Sequence, residues 1–198
     1  MLFRSKMGKK IDLITLGEAT ELDKGLVEKI TDPLTHLVRN SVDHGIELPE
    51  DRLAAGKSEH GTLTLAASHQ GGSIVIEVRD DGKGMNREKI LRKARERGMD
   101  VSDSMPDSEV WQLIFAPGFS TADVVTDVSG RGVGMDVVKR NITSLGGTVE
   151  IESTAGVGMK VGAAAADPGH HGWHVRRRGG RGLHPAAVVG GGVLPGQY

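Results

Sequence analysis

The chain contains no cysteine and no long apolar run. Without cysteine it has no disulfide, no thiolate metal site and no cysteine nucleophile. No apolar stretch approaches the roughly 20 residues that a membrane-spanning helix needs, and residues 1–10 are charged and lack the apolar core of a signal peptide. These absences predict a cytoplasmic protein with no direct membrane insertion.

An excess of charge of one sign is missing as well. Lysine and arginine total 25 against 26 aspartate and glutamate residues, which leaves a formal net charge of -1. Such a chain has no overall basic field to hold a nucleic-acid backbone or an anionic membrane. We therefore expect no nucleic-acid partner.

Aromatic residues make up only 3% of the chain, and many of its 29 glycines lie near the C-terminus. Residues 1–161 have ordinary globular patterning, whereas residues 162–198 consist mostly of glycine, alanine, arginine, histidine and proline. The tail composition argues against a packed core. We expect a remnant of a preceding linker at 1–10, a globular domain at 11–161 and a disordered tail at 162–198.

Periodicity within the globular part predicts alternating helices and strands. Helix is expected from about residue 22, restarting or continuing at Pro33 and closed by Gly45. The other expected elements are strands at 11–16, 62–68, 73–79 and 148–152 and helices at 87–97, 108–115 and 135–145. Strands 62–68 and 73–79 form a hairpin, and a flexible loop covers 117–129. This order predicts an α+β two-layer sandwich whose mixed, mainly antiparallel sheet is covered on one face by helices.

A polar stripe marks the helix that ends at Gly45. On an α-helix its members share one face, and Leu34, Leu37, Val38 and Val42 lie on the other. A merely solvated face is the alternative, but such a face would use lysine and glutamate. Histidine, asparagine and arginine instead favour a metal, phosphate or proton-transfer site. The stripe comprises His36, Arg39, Asn40, Asp43 and His44.

The segment Asp80-Asp81-Gly82-Lys83-Gly84 directly follows a predicted strand. A carboxylate at this place can accept a hydrogen bond from an exocyclic amine, and the two glycines allow a tight turn and close approach of a planar ligand. An ordinary turn is the alternative interpretation.

A third segment, the glycine-rich residues 129–135, opens the helix that begins near Met135. Glycines before a helix N-terminus leave backbone N–H groups free to bind a phosphate. The segment lacks the Lys-Ser/Thr ending of a P-loop, and no strand immediately precedes it as in a dinucleotide-binding turn. A glycine-rich turn without a ligand is the alternative.

In this order and spacing the three segments resemble the ATP-binding motifs of the superfamily of DNA gyrase, Hsp90-type chaperones, histidine kinases and MutL-type repair ATPases. Residues 36–47, HLVRNSVDHGIE, resemble the N box, residues 80–84 the first glycine box and residues 130–134 the second. Within the superfamily the sequence is most similar to the catalytic domain of bacterial chemotaxis histidine kinases. The similarity extends from about Gly8 to Lys160.

The resemblance implies an ATP- and Mg²⁺-binding site. Asn40 would coordinate Mg²⁺ with His44 nearby. Asp80 would accept a hydrogen bond from the adenine amino group, and Met85 would form part of the apolar wall against the base. Ser120 and Thr121 would belong to a mobile lid that Phe115 or Phe119 anchors. The implied ATP-binding residues are Arg39, Asn40, Asp43, His44, Asp80, Gly82, Lys83, Gly84, Met85, Ser120, Thr121, Gly130, Arg131, Gly132, Val133, Gly134 and Met135.

His36 separates two activities of the superfamily. Gyrase-like members place a glutamate four residues before the asparagine, where it activates water, and this chain has His36 there. By resemblance, His36 would be a general base or orienting group for an incoming histidine side chain. A histidine with no catalytic part is the alternative.

The implied function is transfer of the γ-phosphoryl group of ATP to a histidine on a separate phosphotransfer domain in two-component chemotaxis signalling. Full-length family members also work with response regulators, a coupling protein and chemoreceptors. A degenerate nucleotide-binding or adaptor module without transfer activity is the alternative. An ATP hydrolase of the gyrase or repair type is disfavoured because His36 replaces the glutamate.

The codons of the tail suggest how its composition arose. When codons 162–176 are re-read from the second base, suitable choices of the free middle base give VRLPLTLAIMDGMSV. This string resembles the last strand of the catalytic domain and the start of the regulatory domain. We interpret residues 162–198 as a frameshifted reading, with a natural Gly/Arg-rich tail as the alternative.

Overall fold

The computed structural model describes residues 2–4, 8–17, 24–119 and 134–166. Within them six strands form one sheet in the order β1-β2-β3-β4-β6-β5. β2 and β3 are parallel and the other neighbours are antiparallel, which confirms the predicted mixed, mainly antiparallel sheet. The strands are β1 Leu2–Arg4, β2 Lys10–Leu16, β3 Gly61–Gln70, β4 Ser73–Asp80, β5 Thr148–Thr154 and β6 Gly158–Ala166.

The helices lie close to their predicted positions, with one addition. The short helix α2 was not predicted; it begins at a proline, which suits a first helical position because its missing N–H is not needed there. A π-helical turn at Ser41–Gly45 follows α1, and a 3₁₀ turn at Leu113–Phe115 follows α4. The α-helices are α1 Lys24–Asn40, α2 Pro49–Ala54, α3 Arg87–Glu96, α4 Asp107–Gln112 and α5 Met135–Ser144.

The predicted hairpin is confirmed, with strands longer than expected. β3 pairs with β4 from Leu63 opposite Asp80 to Gln70 opposite Ser73. The connecting Gly71 and Gly72 have φ of 59° and 85°, a conformation that glycine adopts without strain and that suits a two-residue hairpin turn. Asp80 is therefore the last residue of a central strand.

The hydrophobic core lies between the sheet and the helices. Ile74 and Val78 of β4 are 1% and 3% exposed, and they line, with residues of α1, α5 and β6, a cavity of about 20 Å³. α1 and α5 both pack on this face of the sheet.

The domain boundaries drawn from composition do not coincide with the edges of the sheet. Gly162–Ala166 complete β6: all five residues pair with β4, and residues 162–164 pair also with β5, so the predicted disorder is wrong for these five residues. Strand pairing uses backbone groups, which alanine supplies despite its modest strand propensity. At the other end, residues 2–4 form β1 beside β2. Residues 167–198 lie outside the described residues.

None of the helices within the described ranges is long and apolar enough to span a lipid bilayer.

Ala164→Pro tests whether β6 is part of the sheet. Ala164 faces Val75 of β4 and Thr148 of β5, so its amide has a partner strand whichever way it points. Proline removes that donor, and we expect urea denaturation to show a free energy of unfolding lower by about 1 to 3 kcal/mol or more. Ala164→Val, which keeps the N–H, should not lower it. Equal stability of both variants would place the residue outside the sheet.

Candidate nucleotide-binding site

The helix that carries the polar stripe changes type within the stripe. α1 is α-helical through Asn40, and Ser41–Gly45 form a π-helical turn in which the Ile46 N–H donates to the Ser41 carbonyl at 2.8 Å. The predicted single α-helical face is therefore wrong beyond Asn40, because the wider turn rotates the later residues. π-turns inside helices are frequent at functional sites. Of the stripe, Arg39 and His44 are exposed, whereas His36, Asn40 and Asp43 are half-buried.

Lys9, which the sequence did not single out, holds this π-turn. Its side chain is buried, and Nζ donates to the carbonyl oxygens of Val42 at 2.8 Å and Asp43 at 2.9 Å. Burial lowers the pKa of Lys9, and the nearby charge of Asp43 opposes that effect. In the sequence Lys9 is one of several lysines in a charged segment, so only the tertiary contact shows its part.

Asp80 ends β4 with its side chain buried, 5% exposed. Oδ1 accepts a hydrogen bond from the Gly82 N–H at 3.0 Å, and the Ser41 hydroxyl also donates to the carboxylate. Burial raises the pKa of Asp80, and these two hydrogen bonds act against the rise. A Cβ on Gly45 would lie 3.0 Å from Oδ2, so the missing side chain of Gly45 leaves space beside this acceptor.

The glycines after Asp80 have a structural reason that sequence reasoning did not supply. A Cβ on Gly82 would lie 2.1 Å from the Gly45 carbonyl oxygen, and one on Gly84, whose φ is 70°, would lie 2.6 Å from the Thr154 carbonyl oxygen. The Lys83 N–H donates to the Gly45 carbonyl at 3.0 Å. The glycines thus let this loop pack against the π-turn and β5. Their predicted closeness to a planar ligand stays a prediction.

Lys83 and Met85 are the other two residues considered for the second motif region. Lys83 is exposed, and Met85 is half-buried against the core. The Met85 N–H donates to the Ser153 hydroxyl at 2.7 Å, which fixes the chain where it leaves the glycine loop for α3.

The third motif meets the first through α5. Gly134 is the N-cap residue of α5, and Met135 is 5% exposed. The Asn40 side-chain nitrogen, Nδ2, donates to Met135 Sδ at 3.2 Å. The other polar atom of this amide, Oδ1, is its acceptor. Phe115 and Phe119, the predicted lid anchors, are both buried in the core. Outside the described residues lie Ser120, Thr121, Gly130, Arg131, Gly132 and Val133.

His36 is half-buried and faces charges from two helices. Burial lowers the pKa of His36, Arg39 lowers it further, and Asp136 in the first turn of α5 acts in the opposite direction. Because the net shift is downward from 6.5, the imidazole is mostly neutral at pH 7 and keeps a ring nitrogen able to accept a proton.

The side chains near Asn40 fit a magnesium ion shared with phosphates rather than a protein metal cage. No group of three His, Asp or Glu side chains suited to holding a metal occurs in the part of the chain that the structure describes. Mg²⁺ typically takes one or two protein oxygens and completes its shell with substrate phosphates and water. The amide oxygen of Asn40 is such a ligand.

Comparison with known proteins places the chain in a family. Residues 29–165 match the family described as histidine kinase-, DNA gyrase B- and HSP90-like ATPase, so the chain belongs to this ATPase family. Its relatives include proteins named Chemotaxis protein CheA from Klebsiella aerogenes and from Salmonella typhimurium. Those two are 68% and 65% identical over 156 residues, 79% of this chain in each case, and 24% and 23% of the relative.

A more distant relative carries the same name. Chemotaxis protein CheA of Bacillus subtilis is 52% identical over 158 residues, which are 78% of this chain and 24% of the relative. The chain therefore spans about a quarter of the length of the curated relatives that it matches.

Asp80→Asn should separate nucleotide affinity from stability. Asparagine offers one acceptor oxygen where the carboxylate offers two, so ATP affinity should fall by on the order of 1 to 3 kcal/mol. The raised pKa means that the ionised carboxylate opposes folding at neutral pH, an effect lost below that pKa or in asparagine. The melting temperature should accordingly not fall.

Calorimetric titration and thermal melts measure the two quantities. Asp103→Asn serves as the control, because the Asp103 side chain is 83% exposed and pairs with Arg95. Unchanged ATP affinity in Asp80→Asn would remove Asp80 from the site.

Proposed function

We propose that the chain is a catalytic domain that binds ATP with Mg²⁺ and transfers the γ-phosphoryl group to a histidine on a separate phosphotransfer domain in chemotaxis signalling. The observation that carries this proposal is the half-buried His36 one helical turn before Asn40 on α1. An acceptor histidine must lose a proton as it is phosphorylated, and a neutral imidazole can take it. The family match and the chemotaxis proteins among the relatives support the same function.

We assign nucleotide recognition to residues around the π-turn. Asp80 accepts a hydrogen bond from the adenine amino group, and Met85 forms part of the apolar wall against the base. Gly82, Lys83 and Gly84 lie beside the base. Arg39, Asp43 and His44 lie on the phosphate side, where Gly134 and Met135 present the N-terminal end of α5. Ser120, Thr121 and residues 130–133 complete the predicted lid and phosphate loop and lie outside the described residues.

Phosphoryl transfer depends mainly on positioning and on neutralising charge. Asn40 Oδ1, with His44 as a second ligand, would hold Mg²⁺, which when bound neutralises charge on the phosphates. The N–H groups at the start of α5 orient the phosphates. His36 accepts the proton that the incoming imidazole releases as its ring nitrogen takes the phosphoryl group and ADP departs.

The curated relatives are about four times longer than the part that this chain matches. We propose that the phosphotransfer domain that receives the phosphoryl group is separate from the matched residues. We propose response regulators, a coupling protein and chemoreceptors as partners of the whole protein.

His36→Gln should lower phosphotransfer much more than ATP binding. Glutamine still forms hydrogen bonds but cannot take a proton, and loss of a general base typically lowers a rate by about 10² to 10⁴. Radiolabelled transfer from ATP to an added phosphotransfer domain measures the rate, and calorimetry measures the affinity. His69→Gln, at an exposed position on β3, is the matched control.

Two results would contradict these assignments. Transfer by His36→Gln at the parental rate would show that His36 is not the base. A parental protein that binds ATP but transfers no phosphate to the added domain would be a nucleotide-binding module without kinase activity.

A further inference from the structure

Arg52 of α2 is the most buried charged side chain among the described residues, 1% exposed. Its guanidinium group makes four hydrogen bonds. Nε donates to the Ser58 carbonyl at 2.7 Å, Nη1 to Glu47 Oε1 at 3.0 Å and the Asp81 carbonyl at 3.2 Å, and Nη2 to Asp81 Oδ2 at 3.1 Å. Two of the four bonds therefore end on Asp81, the residue after the proposed adenine acceptor.

Lys57 reaches the same loop from the turn after α2. Its Nζ donates to the carbonyl oxygens of Asp81 at 3.0 Å and Gly82 at 2.8 Å, and to Glu47 Oε2 at 2.8 Å. Glu47 thus bridges the two cations with its two oxygens. We name Glu47, Arg52 and Lys57 together the loop clamp.

The loop clamp completes the fixation of the Asp80–Lys83 segment. On the β3 side, Asp81 Oδ1 accepts from the Thr62 N–H at 2.8 Å. On the π-turn side, Lys83 donates to the Gly45 carbonyl. From a third direction, the loop clamp binds the carbonyl oxygens of Asp81 and Gly82. The N–H of Gly82 in turn donates to Asp80 Oδ1. The orientation of the Asp80 carboxylate thus depends on the same peptide units that the clamp holds.

Such a cluster contributes more to geometry than to stability. Removing buried ions from water costs free energy that their attraction roughly offsets, so apolar replacements of whole buried ion clusters are often neutral for folding. The bidentate fork of arginine, in contrast, fixes the position of its acceptors. A recognition carboxylate needs that support, because small displacements of a binding group weaken specificity.

We propose that Glu47, Arg52 and Lys57 are positioning residues for base recognition: they hold the Asp81 and Gly82 main chain so that the Asp80 carboxylate faces the exocyclic amine of adenine. They act through the loop and do not touch the nucleotide. The inference rests on the proposed function, since it needs an adenine nucleotide in this site. It makes the preference for ATP over GTP a property of the clamp, because adenine has a donor amine at C6, where guanine has a carbonyl oxygen that cannot donate to a carboxylate.

The test measures dissociation constants for ATP and GTP by calorimetry on the full chain, at a temperature well below the melting point of each variant. Arg52→Met should weaken ATP binding by about 10- to 100-fold and reduce the ATP-over-GTP preference by a similar factor. Arg52→Lys, which keeps the charge without the fork, should recover part of the preference. Lys57→Met, at a less buried site, should act in the same direction and decides the matter if Arg52→Met fails to fold.

Arg87→Met is the matched control. Arg87 also joins two segments through several bonds, to Asp107 Oδ1 at 2.7 Å and to the carbonyls of Asp103 at 2.7 Å and Met105 at 2.6 Å, but these bonds lie between α3 and the start of α4. Its loss should lower stability and leave the ATP-over-GTP preference unchanged.

The outcomes distinguish the clamp from the site itself. A lower melting temperature in Arg52→Met and Lys57→Met with an unchanged ATP-over-GTP preference overturns the positioning role. A parental protein that binds no ATP contradicts the proposed function instead, whatever the variants do.

Discussion

The close approach of the π-turn to the loop after β4 is the contact on which the proposed site depends. The Gly45 carbonyl accepts from the Lys83 N–H at 3.0 Å, and a Cβ on Gly82 would lie 2.1 Å from the same oxygen. Two chain segments that are far apart in sequence are joined there without any side chain between them. This contact brings the helix of His36 and Asn40 to the strand that ends in Asp80.

Burial shifts the pKa values of the two titratable groups proposed for the site in opposite directions. It lowers the pKa of His36, which leaves a neutral imidazole, and it raises the pKa of Asp80, whose hydrogen bonds from Gly82 and Ser41 oppose the rise. Both shifts follow from low solvent access, and both suit the proposed function: a neutral ring can accept a proton, and a buried carboxylate can accept a hydrogen bond from an amine. The buried cations Lys9 and Arg52 and the half-buried Lys57 hold the surrounding main chain through its carbonyl oxygens.

Local signals in the sequence were enough to predict four of the six strands of the sheet. Alternating strands around Gly71-Gly72 predicted the hairpin, and glycines beside Asp80 marked the loop. The π-turn was not predictable, because residues 41–45 have no composition that separates a π-turn from the end of an α-helix, and its support comes from Lys9, more than thirty positions away. Arg52 likewise shows its role only through tertiary contacts. The alanines of β6 were misjudged because two neighbouring strands, and not side-chain bulk, hold that segment.

Hydrogen exchange of the whole chain with and without saturating ATP and Mg²⁺ tests the central claim most directly. If the π-turn and the loop after β4 together form the nucleotide site, bound nucleotide slows exchange at residues 40–45 and at residues 81–85 together, while α3 changes little. Bound nucleotide that leaves both segments unchanged, or slows only one of them, would contradict the account.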